Sequence, residues 1–99
     1  MIYYKRKVIE MHPHEVEFKI RNLSTVNNYR GAERILIELK NYSGPIDEDQ
    51  LSRFCFAVIT NEQVYNCYNC KGYLKIILNK YKDKIDESQY EEIEEIINK

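Results

Sequence analysis

Glycine, proline, cysteine and histidine supply only ten of the 99 residues, at three, two, three and two. Each shortage removes a class of chemistry. The three glycines, Gly31, Gly44 and Gly72, are not grouped, so the chain lacks a glycine-rich loop that could cradle phosphates. The two histidines fall together in Met11-His12-Pro13-His14, and nothing in the sequence marks a nucleophile with a base and an orienting partner. Three cysteines are an odd number and cannot form a complete disulfide framework. Without an export signal they read as reduced thiols, which makes the cytoplasm the expected location. Long apolar runs are also missing. An aliphatic block such as Ile76-Ile77-Leu78 is only three residues, far short of the roughly 20 residues of a membrane span, so no membrane association is expected. The N-terminal Met1-Ile2-Tyr3-Tyr4-Lys5-Arg6-Lys7 has no apolar stretch and no small-residue cleavage site behind its charges, unlike a secretory signal.

What is present suits one folded unit. Hydrophobic residues make up 43% and charged residues 31%, enough apolar surface to offset chain entropy over a single domain spanning 1–99. Ile, Lys, Asn and Tyr account for 41 residues, a bias that fits AT-rich coding DNA and hints at a low-GC bacterium or its phage. The net charge of -1 hides an asymmetry: residues 1–45 carry eight Lys/Arg against five Glu, and residues 46–99 carry seven against eleven Asp/Glu. Neither half is extreme enough to define a nucleic-acid surface or a nucleic-acid mimic.

Alternation of apolar and polar residues over Ile2–Glu10, and of Val16, Phe18 and Ile20 with Glu15, Glu17, Lys19 and Arg21, predicts two strands. With the proline-containing segment 11–14 between them they form an expected antiparallel hairpin. Residues 22–31 read as a loop. Segment 32–42 fits a helix burying Ala32, Ile35, Leu36 and Leu39, or a third strand, and its composition favours the helix. Asp47 and Gln50 form a capping-box pattern for a helix that buries Leu51, Phe54, Cys55 and Val58. A further helix over 62–83 carries Val64, Cys67, Cys70, Leu74, Ile77, Leu78 and Tyr81 on one stripe, with Gly72 as an interruption. A C-terminal helix is capped by Asp86 with Gln89, or by Ser88 with Glu91, and turns Tyr90, Ile93, Ile96 and Ile97 inward. The expected fold is therefore α+β: a short antiparallel hairpin or three-stranded sheet packed on three to four helices.

Cys67 and Cys70 have the spacing of half a zinc site, and His12 and His14 could complete a set of four ligands. Both cysteines lie on the apolar stripe, however, and His-x-His around a proline is not zinc-finger spacing, so core packing and no metal or other cofactor is the expectation. The acidic stretch Glu91, Glu92, Glu94 and Glu95 reads as a solvated helix face. Opposite the cysteine stripe, Tyr65, Tyr73 and Ile76 form a second apolar side of the 62–83 helix, suited to a protein partner or to homo-oligomerisation. The functional expectation is a small non-enzymatic interaction protein, of the kind a phage or mobile element uses to inhibit or modulate a host defence protein. The alternative is a nucleic-acid or nucleotide binder using the basic N-terminal half, through Lys5, Arg6, Lys7, Arg21, Arg30 and Arg34 beside its tyrosines. The lysines at 71, 75, 80, 82 and 84 appear scattered around their helix.

Overall fold

The computed structural model describes residues 11–99, and among them there is no strand. The described residues form, in order, α1 (Pro13–Thr25), α2 (Tyr29–Asn41), α3 (Glu48–Thr60), α4 (Glu62–Tyr65), α5 (Cys70–Lys80) and α6 (Glu87–Ile97), with a 3-10 turn at Lys82–Lys84. The α+β expectation is thus overturned. The first expected strand, Ile2–Glu10, lies outside the described residues. The second is α1, a helix.

The reason is local. Pro13 occupies the first helical position, where its fixed φ suits the helix and its missing N–H costs nothing, and the Glu15 carboxylate accepts the His12 backbone N–H at 2.9 Å. What reads as a hairpin turn is a helix start. Once the helix begins, Val16, Ile20 and Leu23 fall on one face and are buried, while Phe18, about 200° around the helix from Val16, is 60% exposed. The expected loop 22–31 shrinks to three residues. Asn28 caps α2 by accepting the Gly31 N–H at 2.7 Å, and a side chain at Gly31 would collide with Val26. Segment 32–42 is helical to Asn41 with Ala32, Ile35, Leu36 and Leu39 buried, which removes the third strand as well.

The helix expected over 62–83 is also interrupted, but not at Gly72. α4 ends at Tyr65, residues 66–69 turn, and α5 restarts at Cys70. The turn keeps the stripe in phase because its hydrogen bonds span three residues, Cys67 N–H to the Val64 carbonyl and Cys70 N–H to the Cys67 carbonyl, both at 3.2 Å. Val64, Cys67, Cys70, Leu74, Ile77, Leu78 and Tyr81 are accordingly all buried. Gly72 sits inside α5 with nothing within 4 Å of where a Cβ would lie.

Five helices close a ring around one core in the spatial order α1, α3, α6, α5, α2, with each neighbour in packing contact and α4 covering the end between α2, α3 and α5. Among the described residues Phe54 of α3 is the largest fully buried side chain, and no polar or charged residue is buried with it. The connector from α2 to α3 is clamped by two tyrosines and a lysine. Tyr42 donates to the Pro45 carbonyl at 3.1 Å, Tyr81 donates to the Gly44 carbonyl at 2.9 Å, and Lys80 Nζ donates to the carbonyls of Lys40 and Tyr42 at 2.6 and 2.7 Å. A cation on the last carbonyls of α2 is favoured by both hydrogen bonding and the helix dipole. The capping box of α3 is as expected, with Asp47 accepting the Gln50 N–H at 2.8 Å, and α6 is capped by Asp86, which accepts from Ser88 and Gln89.

Candidate protein-interaction surfaces

α1 and α3 run in the same direction, tied at one end by ions and at the other by an amide. At the first end Arg53 donates to both carboxylate oxygens of Glu17, at 2.8 Å through Nη2 and closer through Nη1, and to Asp49 at 3.0 Å. Gln50 adds a 3.4 Å hydrogen bond to Glu17. At the other end, the Asn61 side chain donates to the Leu23 and Val26 carbonyls at 2.9 and 3.0 Å. Between these ties the two helices hold Phe18 and Phe56 outward, 60% and 63% exposed.

The bidentate Arg53 contact holds the Glu17 carboxyl well below the usual range, from 4.5 to about 2, with the Gln50 hydrogen bond contributing further. A depressed carboxylate pKa stabilises the fold above 4.5, and that contribution is lost as pH falls toward about 2. Glu17→Gln is therefore expected to lower the urea midpoint at neutral pH and to converge with the parent as the pH approaches about 2. Parallel acid-unfolding curves for the two proteins would contradict it.

The expected partner residues Tyr65, Tyr73 and Ile76 fall on two helices and differ in exposure. Tyr65 is the last residue of α4, on a different helix from Tyr73 and Ile76, and is half-buried. Tyr73 packs against the core beside α2, with Lys40 Nζ 5.8 Å from its ring centre. Ile76 is the exposed member at 47%, and Tyr68 in the turn before α5 is 82% exposed. The covering element is α2, which packs along α5.

Of the basic residues, Lys5, Arg6 and Lys7 lie outside the described residues. Arg21 is exposed on α1 with Glu17 3.8 Å away. Arg30 and Arg34 are exposed on α2, where they share a shallow surface depression with Glu33 and Glu38. Carboxylates thus sit among the arginines that the structure describes.

The metal candidates do not converge. His12 and His14 stack on each other at the exposed start of α1, with ring centres 5.6 Å apart, while Cys67 and Cys70 are buried. Among the described residues, no three His, Cys, Asp or Glu side chains form a group that could hold a metal ion. Burial pushes the Cys70 thiol up, with the neighbouring Cys67 thiol adding to the effect, and burial pushes Cys55 up to about 12. Both thiols are held away from the thiolate form that nucleophilic or ligand chemistry requires.

No described helix is long and apolar enough to cross a membrane. No family model, curated protein or solved structure matches this chain.

Phe18, Phe56 and Tyr68 were not legible as surface residues in equal measure. Phe56 lies off the Leu51/Phe54/Cys55/Val58 stripe, so its exposure follows from the helix period alone. Phe18 is concealed by the alternation of its neighbours. Tyr68 lies in the turn between α4 and α5, a break concealed in the sequence by the apolar stripe that runs through it.

Proposed function

We propose that this chain is a small protein-interaction module without catalytic activity of its own. The supporting observation is the large apolar side chains that its core leaves in solvent, with Phe18 and Phe56 on the neighbouring helices α1 and α3 foremost at 60% and 63% exposure. Rigid aromatics on helices that are already fixed by packing lose little entropy on binding and bury large areas, which is the character of interface anchors. The Glu17–Arg53–Asp49 network beside them provides a polar rim. The residue bias toward Ile, Lys, Asn and Tyr supports a phage or mobile-element source, and the reading extends to an inhibitor or modulator of a host protein.

The test is recovery of partners on immobilised full-length chain, with and without nuclease, against the Phe18→Ser/Phe56→Ser double variant. The expected result is a protein that survives nuclease treatment and whose affinity falls at least about tenfold in the variant, as loss of two aromatic anchors implies. Circular dichroism should show the variant folded, since neither side chain contributes to the core. Undiminished capture by the variant overturns the α1/α3 surface, and recovery that depends on nucleic acid replaces it with the basic N-terminal half.

A further inference from the structure

Helices α5 and α6 pack side by side in opposite directions. Lys71 Nζ lies 3.4 Å from the Lys99 carbonyl at one end, Lys75 and Asn79 share a groove with Tyr90, Glu94 and Ile97 in the middle, and Lys82 Nζ lies 5.7 Å from the Tyr90 ring centre at the other end. The two banks of this groove carry opposite charge. Lys71, Lys75 and Lys82 line the α5 side, and Glu87, Glu91, Glu94 and Glu95 stand on α6. Among the described residues Lys75, Lys82 and the four glutamates form no ion pair, although Arg53 and Lys19 elsewhere do, and Lys71 is held by its hydrogen bond to the Lys99 backbone oxygen. The pocket along the groove is about 70 Å³, well below the roughly 300 Å³ at which small-molecule sites begin.

We infer that this face binds a second copy of the chain, with the basic bank of each protomer on the acidic bank of the other. A face with one positive and one negative edge is complementary to itself under a two-fold rotation. Only one orientation of the axis serves. Rotation about an axis parallel to the helices and lying in the interface places α5 of one copy on α6 of the other. It also preserves height along the helices, so that Lys75 arrives at the level of Glu94 in the partner. An axis perpendicular to the helices would set lysine on lysine. The intramolecular register already seen between Lys75 and Glu94 is therefore the register of the contact between copies. This assignment deepens the interaction reading, on which it rests, by naming one partner as the chain itself and by moving self-association from the tyrosine side of α5 to its α6 side.

Light scattering of the full chain is expected to give twice 12.0 kDa at low ionic strength and micromolar to millimolar concentration. The mass should fall toward that of the monomer in about 1 M salt, where the Debye length shrinks to about 3 Å. Lys75→Glu/Lys82→Glu and Glu91→Lys/Glu94→Lys/Glu95→Lys are each expected to be monomeric, the first with an acidic majority on both banks and the second with a basic majority on both. Mixed in equal amounts, they should regain the dimer mass as a heterodimer, because both contacts are then complementary. A monomeric parent protein at low salt overturns the assignment whatever the variants do. So does a parent dimer indifferent to salt, or a mixture of folded variants that stays monomeric. A monomer that still captures a foreign protein through Phe18 and Phe56 overturns this inference and leaves the interaction reading standing.

Discussion

Ile20→Asp is expected to unfold the domain, and Phe18→Asp, two residues away, is expected to leave it folded. Ile20 is 2% exposed on the inner face of α1, against the core that α3 completes, and among the described residues no polar or charged one is buried there to receive a carboxylate. An unpaired charge at such a position costs about 4–5 kcal/mol or more, comparable to the total stability of about 5–15 kcal/mol for a small domain. Phe18 is 60% exposed, and replacing it removes little burial, so the cost should stay under about 1 kcal/mol, mostly from the weaker helix propensity of aspartate. Far-UV circular dichroism and urea unfolding read both outcomes. In a strand, Phe18 and Ile20 would share a face and both substitutions would be equally damaging. Equal damage would return residues 15–21 to a strand, and a folded Ile20→Asp protein would remove α1 from the core.

The pair also shows why the sequence misleads at this point. Val16, Phe18 and Ile20 satisfy a period of two, while Val16, Ile20 and Leu23 satisfy a period of 3.6, and a segment of seven residues does not distinguish them. The deciding signals are at the edge: Pro13 at the first helical position and Glu15 reaching back to the His12 N–H are both readable as a helix start. A proline between two apolar runs also resembles turn punctuation, and the alternation on either side of it then reads as a hairpin. Where the edge signal was unambiguous, as at Asp47 and Gln50 before α3, the helix and its inward residues Leu51, Phe54, Cys55 and Val58 all followed from the sequence.

The surfaces were less legible than the core, for a physical reason. A core residue is fixed by the period of its own helix, whereas exposure depends on what another helix covers. Tyr73 and Ile76 share an apolar side of α5 in the sequence, yet α2 packs over Tyr73 and leaves Ile76 in solvent. The lysines of α5 and of the turn after it appear scattered until α6 is placed beside them. Lys80 then proves to be committed to the end of α2, and Lys71, Lys75 and Lys82 remain along the α6 side. The cysteine reading was legible because Cys67 and Cys70 obey the period of their own stripe and are buried by it.

Asn61→Asp, nominally a conservative change, is expected to destabilise the domain at least as much as Asn61→Ala. Asn61 ends α3, with its backbone N–H donated to the Ala57 carbonyl at 3.0 Å, and begins α4, where its side-chain oxygen accepts the Gln63 N–H at 3.0 Å. For that capping role alone Asp and Asn are equivalent, and Ala would cost about 1 kcal/mol. The amide nitrogen does something else. It donates to the carbonyls of Leu23 and Val26 at the end of α1, closing two of the carbonyls that a helix terminus leaves without partners and fastening α1 to α3 from 38 and 35 residues away. Alanine leaves those acceptors unpaired in a partly buried position, adding about 1–3 kcal/mol. Aspartate leaves them unpaired and also turns a negative oxygen toward two carbonyl oxygens, so its deficit equals or exceeds that of alanine despite the retained cap. The two variants should also differ with pH. Repulsion from the carbonyls disfavours the charged form, raising the pKa of the introduced carboxyl in the folded state, so the aspartate penalty is full above that pKa and shrinks as pH falls through it. A protonated carboxyl can donate to one of the carbonyls, whereas the alanine deficit has no such acid recovery. Urea midpoints of the three proteins from neutral to acidic pH, with hydrogen exchange at the end of α1, carry the result. An aspartate variant as stable as the parent at neutral pH would reduce Asn61 to a cap for α4 and leave the junction of α1 and α3 to the Glu17–Arg53 pair and the apolar contact between them.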